Sequence, residues 1–305
     1  MARHTYASID TFRDYLAGTS YSSGWTSDTG VLRRILETAS TRIDNYVGMQ
    51  SFGARTETHY YDIGKGILRS TPQLMAQQSY SNEIGTVENL ISIIVLDDWL
   101  ISTTSVTSYK STDRDQSETL VEGYNQDFWL EPYNSSPKVS LKLNEDTGKG
   151  FHAGQQTLAI AGTWGYSNDT STEKTTTGTV SSSVTSWGVN DASGLSTAQT
   201  ILVDSEQMYI TGISSNTLTT ERGVNGTTAA SHSAGASVYV YEYPALVVQA
   251  CLDLAKIYFR DRDMGTTLTI GVGEQQVTRA DSTATNILST LDQYRSTTPV
   301  SEVYF

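Results

Sequence analysis

The chain carries a single cysteine, Cys251, among its 305 residues. One thiol cannot build an internal disulfide framework, so cysteine usage leaves the redox compartment open. Long apolar runs are missing too. The longest, residues 90–96, falls far short of the roughly 20 residues that cross a bilayer. The opening Met1-Ala2-Arg3-His4-Thr5-Tyr6 lacks the apolar centre of a secretory signal, so the expectation is a soluble product made in a cytoplasm, with no membrane partner. Positive charge is scarce: 20 Lys and Arg stand against 33 Asp and Glu, a net charge of -13. Affinity for phosphates rests on cationic side chains that displace counterions, so this balance argues against a surface built to grip DNA. It suits a surface that DNA slides past, and it also serves plain solubility.

Chemistry-bearing constellations are equally thin. His4, His59, His152 and His232 never fall at a ligand spacing on one helix, so no metal site is expected. Cys251 sits on an apolar helical stripe with no cationic neighbour in sequence, which reads as packing and not as a nucleophile. Gly271-Val272-Gly273-Glu274-Gln275-Gln276 opens like a dinucleotide fingerprint but lacks the third glycine and a surrounding βαβ unit. Asp97 and Asp98 are adjacent, and on a strand they would face opposite sides; they read as a solvated turn. Arg222-Gly223-Val224-Asn225-Gly226 reads as a turn cluster, and Trp164 as an anchor of a β section on helices. No catalytic residue, cofactor site or metal site is expected, and the chain reads as no enzyme.

Periodicity supplies the rest. Ser8 can cap a helix whose apolar residues Ile9, Phe12 and Leu16 share one face, with Gly18 as its stop. Asp28 can cap a second, lined by Leu32, Ile35, Leu36, Ala39, Ile43 and Tyr46 and ended by Gly48. Between 56 and 166 the period switches to two, predicting strands at 56–61, 66–69, 87–96, 105–109, 139–143 and 157–163. Residues 167–178, SNDTSTEKTTTG, have nothing apolar to bury and read as a linker. Short strand signals follow at 179–184, 200–203, 207–213, 217–221 and 237–241. Pro244 then opens a helix faced by Val247, Ala250, Cys251, Leu254 and Tyr258. After a short strand signal at 268–270, Asp281 can cap a last helix faced by Ala284, Ile287, Leu288 and Leu291. The tail, 296–305, is unusually apolar for a solvated end. Its Pro299, Val300, Val303, Tyr304 and Phe305 suggest an arm that adds itself to a partner.

The expected fold is therefore α+β. Segments 1–55 and 242–295 form a small helical bundle, 56–166 an antiparallel β section, 167–241 an inserted small β domain, and 296–305 a C-terminal arm.

In this order, the segments resemble the adaptor, or head–tail connector (head completion), proteins of long-tailed bacteriophages. The likeness rests on the helical ending at 36–48, on Thr58-His59-Tyr60-Tyr61-Asp62, and on Trp129-Leu130-Glu131-Pro132-Tyr133-Asn134 with Ser136-Pro137-Lys138. It continues in Gly162-Thr163-Trp164-Gly165-Tyr166, in the Pro244-led helix and in Tyr258-Phe259-Arg260-Asp261-Arg262-Asp263. Within the insertion, Asp204-Ser205-Glu206-Gln207-Met208, the run from Arg222 to Thr227 and His232-Ser233-Ala234-Gly235 look like a small β module that recurs in phage structural proteins. The resemblance implies a structural virion protein at the head–tail neck, assembled in the host cytoplasm into a ring with copies of itself, twelve-fold to match the portal. The ring would dock on the portal protein, carry a stopper or tail-completion protein, and extend the DNA channel without binding DNA specifically. The arm is then the portal-docking element, and Asp253, Asp261 and Asp263 are candidates for an acidic lumen. A rival expectation is a tail-tip or decoration protein whose inserted β domain binds a glycan or a surface partner.

Overall fold

A computed structural model describes residues 4–17, 28–48, 50–63, 93–264 and 280–295. The described elements open with α1 (Ile9–Leu16), α2 (Thr29–Val47), β1 (Arg55–Ile63), β2 (Ile93–Tyr109), β3 (Ser117–Leu120), β4 (Phe128–Glu131), β5 (Lys138–Leu143) and β6 (Gly154–Trp164). Next come β7 (Thr170–Thr175), β8 (Ser186–Gly188), β9 (Thr200–Val203), β10 (Glu206–Ser214), β11 (Thr217–Glu221) and β12 (Ser237–Tyr241). Helices α3 (Ala245–Met264) and α4 (Ala280–Ser289) and a 3-10 turn, Asp292–Tyr294, close the sequence. The fold is α+β with two antiparallel sheets. It divides into two compact units, Met1–Arg55 with Gly165–Phe305, and Thr56–Trp164.

In the first unit the helices start where capping chemistry permits. Ser8 accepts from Thr11 N–H (3.1 Å) and Asp28 from Val31 N–H (3.1 Å), each satisfying an orphan donor of a first turn. Gly48 ends α2 at φ 78°, a left-handed cap that glycine adopts without penalty. Helix α2 packs along α3, α1 touches both, and α4 rests on α3. Leu32, Leu36, Ala39 and Ile43 of α2 and Val247, Cys251, Leu254 and Ala255 of α3 are completely buried. Each large aliphatic among them contributes about 1.5–3 kcal/mol. The closing turn returns to the end of α2: Tyr46 donates to Asp292 (2.6 Å), and Tyr294 meets Phe52 edge-on (5.2 Å).

A strap not foreseen from the sequence precedes α1. His4, Thr5, Tyr6, Ala7 and Ser8 are all buried. Tyr6 N–H donates to Ser40 (3.1 Å), its hydroxyl donates to Asp44 and accepts from Phe52 N–H (3.0 Å), and Thr5 donates to the Ala198 carbonyl.

Residues 170–241 of this unit build the sheet β7-β12-β9-β10-β11-β8. A bridge from Thr176 to Val189, flanked by Thr177 N–H to Gly188 O (3.0 Å) and Asn190 N–H to Thr175 O (2.9 Å), joins the last strand to the first. The sheet is thus a closed barrel around Val180, Trp187, Ile201, Val203, Met208, Ile210, Leu218 and Val238. The linker expected at 167–178 is corrected here, since β7 lies inside it. A threonine-rich strand is held by its backbone ladder to β12 and needs no apolar residue of its own. The strand expected at 179–184 is corrected as well: Val180 forms one bridge with His232, and the strand of this stretch is β8. The barrel docks on the helices. Ser196 and Thr197 accept from the N–H groups of Asp10 (3.1 Å) and Ile9 (3.4 Å), completing the cap of α1. Gln207 donates to Ala54 O (2.9 Å), and Tyr209 to Glu37 (3.1 Å).

The second unit is a sheet ordered β1-β6-β2-β5-β4, with β3 paired to β2. Its core holds Leu100, Val106, Leu130, Leu141, Leu158, Ile160 and Trp164. The 17-residue β2 runs straight through Asp97 and Asp98, correcting the expected turn. Its pairing with β5 shifts register between Val95 and Leu100, so the two carboxylates sit in an irregular stretch of strand. Trp164, expected to reach the helices, is buried in this unit's own core, and its indole donates to Glu57 O (3.2 Å). Gly162 is there because a Cβ would stand 2.3 Å from Ser102 O of the adjacent strand. The expected strands at 66–69 and 268–270, and the start of that at 87–96, lie outside the described residues, as do the Gly18 stop and the glycine turn at 271–273.

Candidate functional site

The residues expected to line a lumen lie on α3. Asp253 is half-buried and accepts from the Tyr15 hydroxyl and from Gln249 (3.2 Å). Its hydrogen bond and charge raise the Tyr15 hydroxyl, which burial raises further. Asp261 is exposed beside Arg260 (3.4 Å), and Asp263 falls in the last turn of α3. The arm residues Pro299, Val300, Val303, Tyr304 and Phe305 lie outside the described residues. Charge is spread unevenly along the chain. The segments 1–55 and 242–295 hold eleven basic and twelve acidic residues, whereas 56–164 holds seven and fourteen. The acidity resides in the β parts more than on the helices.

Two clusters of ionisable groups stand out, and the sequence had signalled neither as a cluster. The first lies in the barrel, where β10 begins and β11 ends. Glu206, with no exposed surface, accepts from Arg222 Nε (2.7 Å) and a terminal guanidinium nitrogen (2.8 Å), from Gly223 N–H (3.0 Å) and from Ala230 N–H (2.8 Å). His232 Nε2 lies 2.8 Å from the same carboxylate, and its Nδ1 2.7 Å from Asp204. Arg222 also donates to the carbonyls of Ser181 (2.9 Å), Val184 (2.6 Å) and Ala230 (2.7 Å). All five guanidinium N–H groups are thereby used, and the carboxylate has no lone pair to spare. Burial alone would raise Glu206, but Arg222, the Ala230 N–H and His232 outweigh it and hold the carboxyl down at about 2. With every N–H of Arg222 and every lone pair of Glu206 engaged, the buried pair is a staple. The signal existed in the sequence: Asp204, Glu206, Arg222 and His232 all lie in the runs that looked like a phage β module.

The second cluster is on the sheet of the other unit. His59 of β1 stacks on Trp164 at 3.8 Å and 11°, with Nδ1 3.0 Å from Asp97 and Nε2 3.3 Å from Glu57. Tyr61 donates to Asp97 (2.5 Å). Burial would lower His59, yet the two carboxylates prevail and its titration moves up; the same contacts draw Asp97 down against its own burial. Asp98, on the opposite side of the strand, is buried and takes the Trp99 N–H (2.8 Å).

Cys251 is buried against Ser40 (3.6 Å), and burial pushes its thiol up to about 11, which keeps it protonated at neutral pH. Among the described residues no group of His, Cys, Asp and Glu is arranged to hold a metal ion, and no helix is long and apolar enough to cross a membrane. Compared with known proteins, the chain matches no family model, no curated protein and no solved structure.

Proposed function

We propose that the chain is a structural virion protein of a tailed bacteriophage, an adaptor subunit that closes into a ring between portal and tail. The observation that carries this reading is the union of the chain's two ends. Helices α1 and α2 pack with α3 and the closing turn, although nearly two hundred residues separate them. In this reading the helices are the connector's small bundle, Thr56–Trp164 is its β section, and the closed barrel is a module inserted between them. Ring closure uses side-by-side contacts between copies, twelve-fold if it follows the portal. The apolar arm, Pro299 to Phe305, docks on the portal protein, and the far side receives a stopper or tail-completion protein.

The net charge of -13 favours a protein past which DNA stays mobile. Asp253, Asp261 and Asp263 belong to the channel wall in the reading, with no catalytic step and no cofactor. The test is electron microscopy of the purified protein, alone and mixed with the portal of the same particle. Rings that stack coaxially on the portal are expected. A fibre, or a particle that ignores the portal, would favour a tail-tip or decoration protein instead.

A further inference from the structure

A cleft of about 240 Å3 opens within the first unit, between the strap, the start of β9 and the β12–α3 connection. Tyr241 lines it. This side chain is only 9% exposed, and among the described residues its hydroxyl has no hydrogen-bond partner. Burial alone pushes that hydroxyl up to about 12, so it stays protonated and able to donate. The hydroxyl is not among the side-chain polar atoms that are both buried and unpartnered, so it is reached from the cleft, where it can donate to a ligand.

The lining decides the ligand class. It contains no Lys, Arg or His, and Glu242 is exposed beside it, so an anion would meet a carboxylate with no cationic side chain to offset it. Val248 in the first turn of α3 also lines it, and the partial positive charge of a helix N-terminus disfavours a cation. What remains is donors and acceptors on neutral groups beside aromatic rings. The Thr11 hydroxyl, which shares one hydrogen bond with Ser8 (2.8 Å), keeps a lone pair to accept with, and the Gln199 amide, its oxygen spent on Ser196 N–H (2.7 Å), offers its NH2. Tyr241 and Tyr243 offer ring surface. The volume lies below the roughly 300–1,000 Å3 of sites for drug-sized ligands. We propose that this cleft binds one neutral sugar ring, with the Tyr241 hydroxyl donating to one of its oxygens. The assignment goes beyond the connector reading and stands whether or not that reading does.

The test is saturation-transfer NMR on the intact protein with methyl glucopyranoside and with N-acetylglucosamine. A ligand of this size should bind with a Kd on the order of millimolar. Tyr241→Phe removes only the unpartnered hydroxyl, so binding should weaken roughly tenfold while the unfolding midpoint stays level. Val248→Trp, which fills the cleft, should abolish transfer. Absence of transfer to either sugar overturns the proposal, as does transfer that persists undiminished in both variants. Loss of inorganic phosphate or tetramethylammonium binding in Tyr241→Phe, with no sugar bound by the wild type, overturns the ligand class.

Discussion

The Glu206–Arg222 pair is the residue-scale feature with the largest expected energetic consequence. Taking two charges out of water is costly, and the cost is repaid only while every lone pair and N–H has its partner. Glu206→Gln or Arg222→Met should therefore destabilise the protein by about 3–5 kcal/mol, read as a lower urea midpoint. The pH dependence follows from the direction of the shift. Glu206 is depressed in the folded state, from 4.5 to about 2, so its contribution is complete above about 4.5 and is lost as pH falls toward 2. The stability gap between wild type and Glu206→Gln should shrink over that window; a gap that stays constant would show the carboxylate is not the group that matters. His59 runs the opposite way. Its folded value is raised above 6.5, so its ion pairs stabilise below 6.5 and fade as pH rises through the folded value. Replacing Asp97 by Asn should lower the NMR titration midpoint of His59. A midpoint that does not move would assign the shift to Glu57.

At the scale of elements, the helices were legible because capping residues and apolar spacing agree: Ser8, Asp28 and Gly48 do in the structure what their chemistry predicts. Strands β5, β9, β11 and β12 were legible for the same reason. The misreadings have physical causes. Strand β7 is threonine-rich and is held by backbone bonds, so counting apolar residues passes over it. Asp97 and Asp98 look like a turn because two adjacent carboxylates rarely enter a strand; Asp97 is tolerated through His59 and Tyr61, distant in sequence, and Asp98 through the N–H of its neighbour Trp99. The barrel staple joins residues 204, 206, 222 and 232 across three turns, a convergence that spacing alone does not reveal. The strap was invisible because a short polar stretch such as His4-Thr5-Tyr6 gives no sign that α2 and the barrel will enclose it. One element-scale prediction concerns the arm. Removing residues 296–305 should leave a folded protein, with unchanged circular dichroism, that no longer co-sediments with the portal. Undiminished co-sedimentation would separate the arm from docking.

For the molecule as a whole, the two units differ in how their chain is laid out. Among the described residues, the core cluster of Thr56–Trp164 is drawn from that one stretch of sequence. A fragment spanning 54–166 should therefore fold alone and unfold in a single cooperative transition, as small single domains usually do. Poor amide dispersion in its NMR spectrum would mean that this sheet depends on the rest of the protein.

The other unit is discontinuous, and synthesis on the ribosome makes that matter. Helix α2 ends at Val47, but the face it packs on does not begin until Ala245. At 5–20 residues per second, the apolar stripe of α2 waits about 10–40 s for its partner to emerge. During that interval the β parts can complete themselves while the side of α2 that meets α3 remains uncovered, so the nascent chain is most exposed to aggregation, or to capture by a chaperone, before its last quarter has been made.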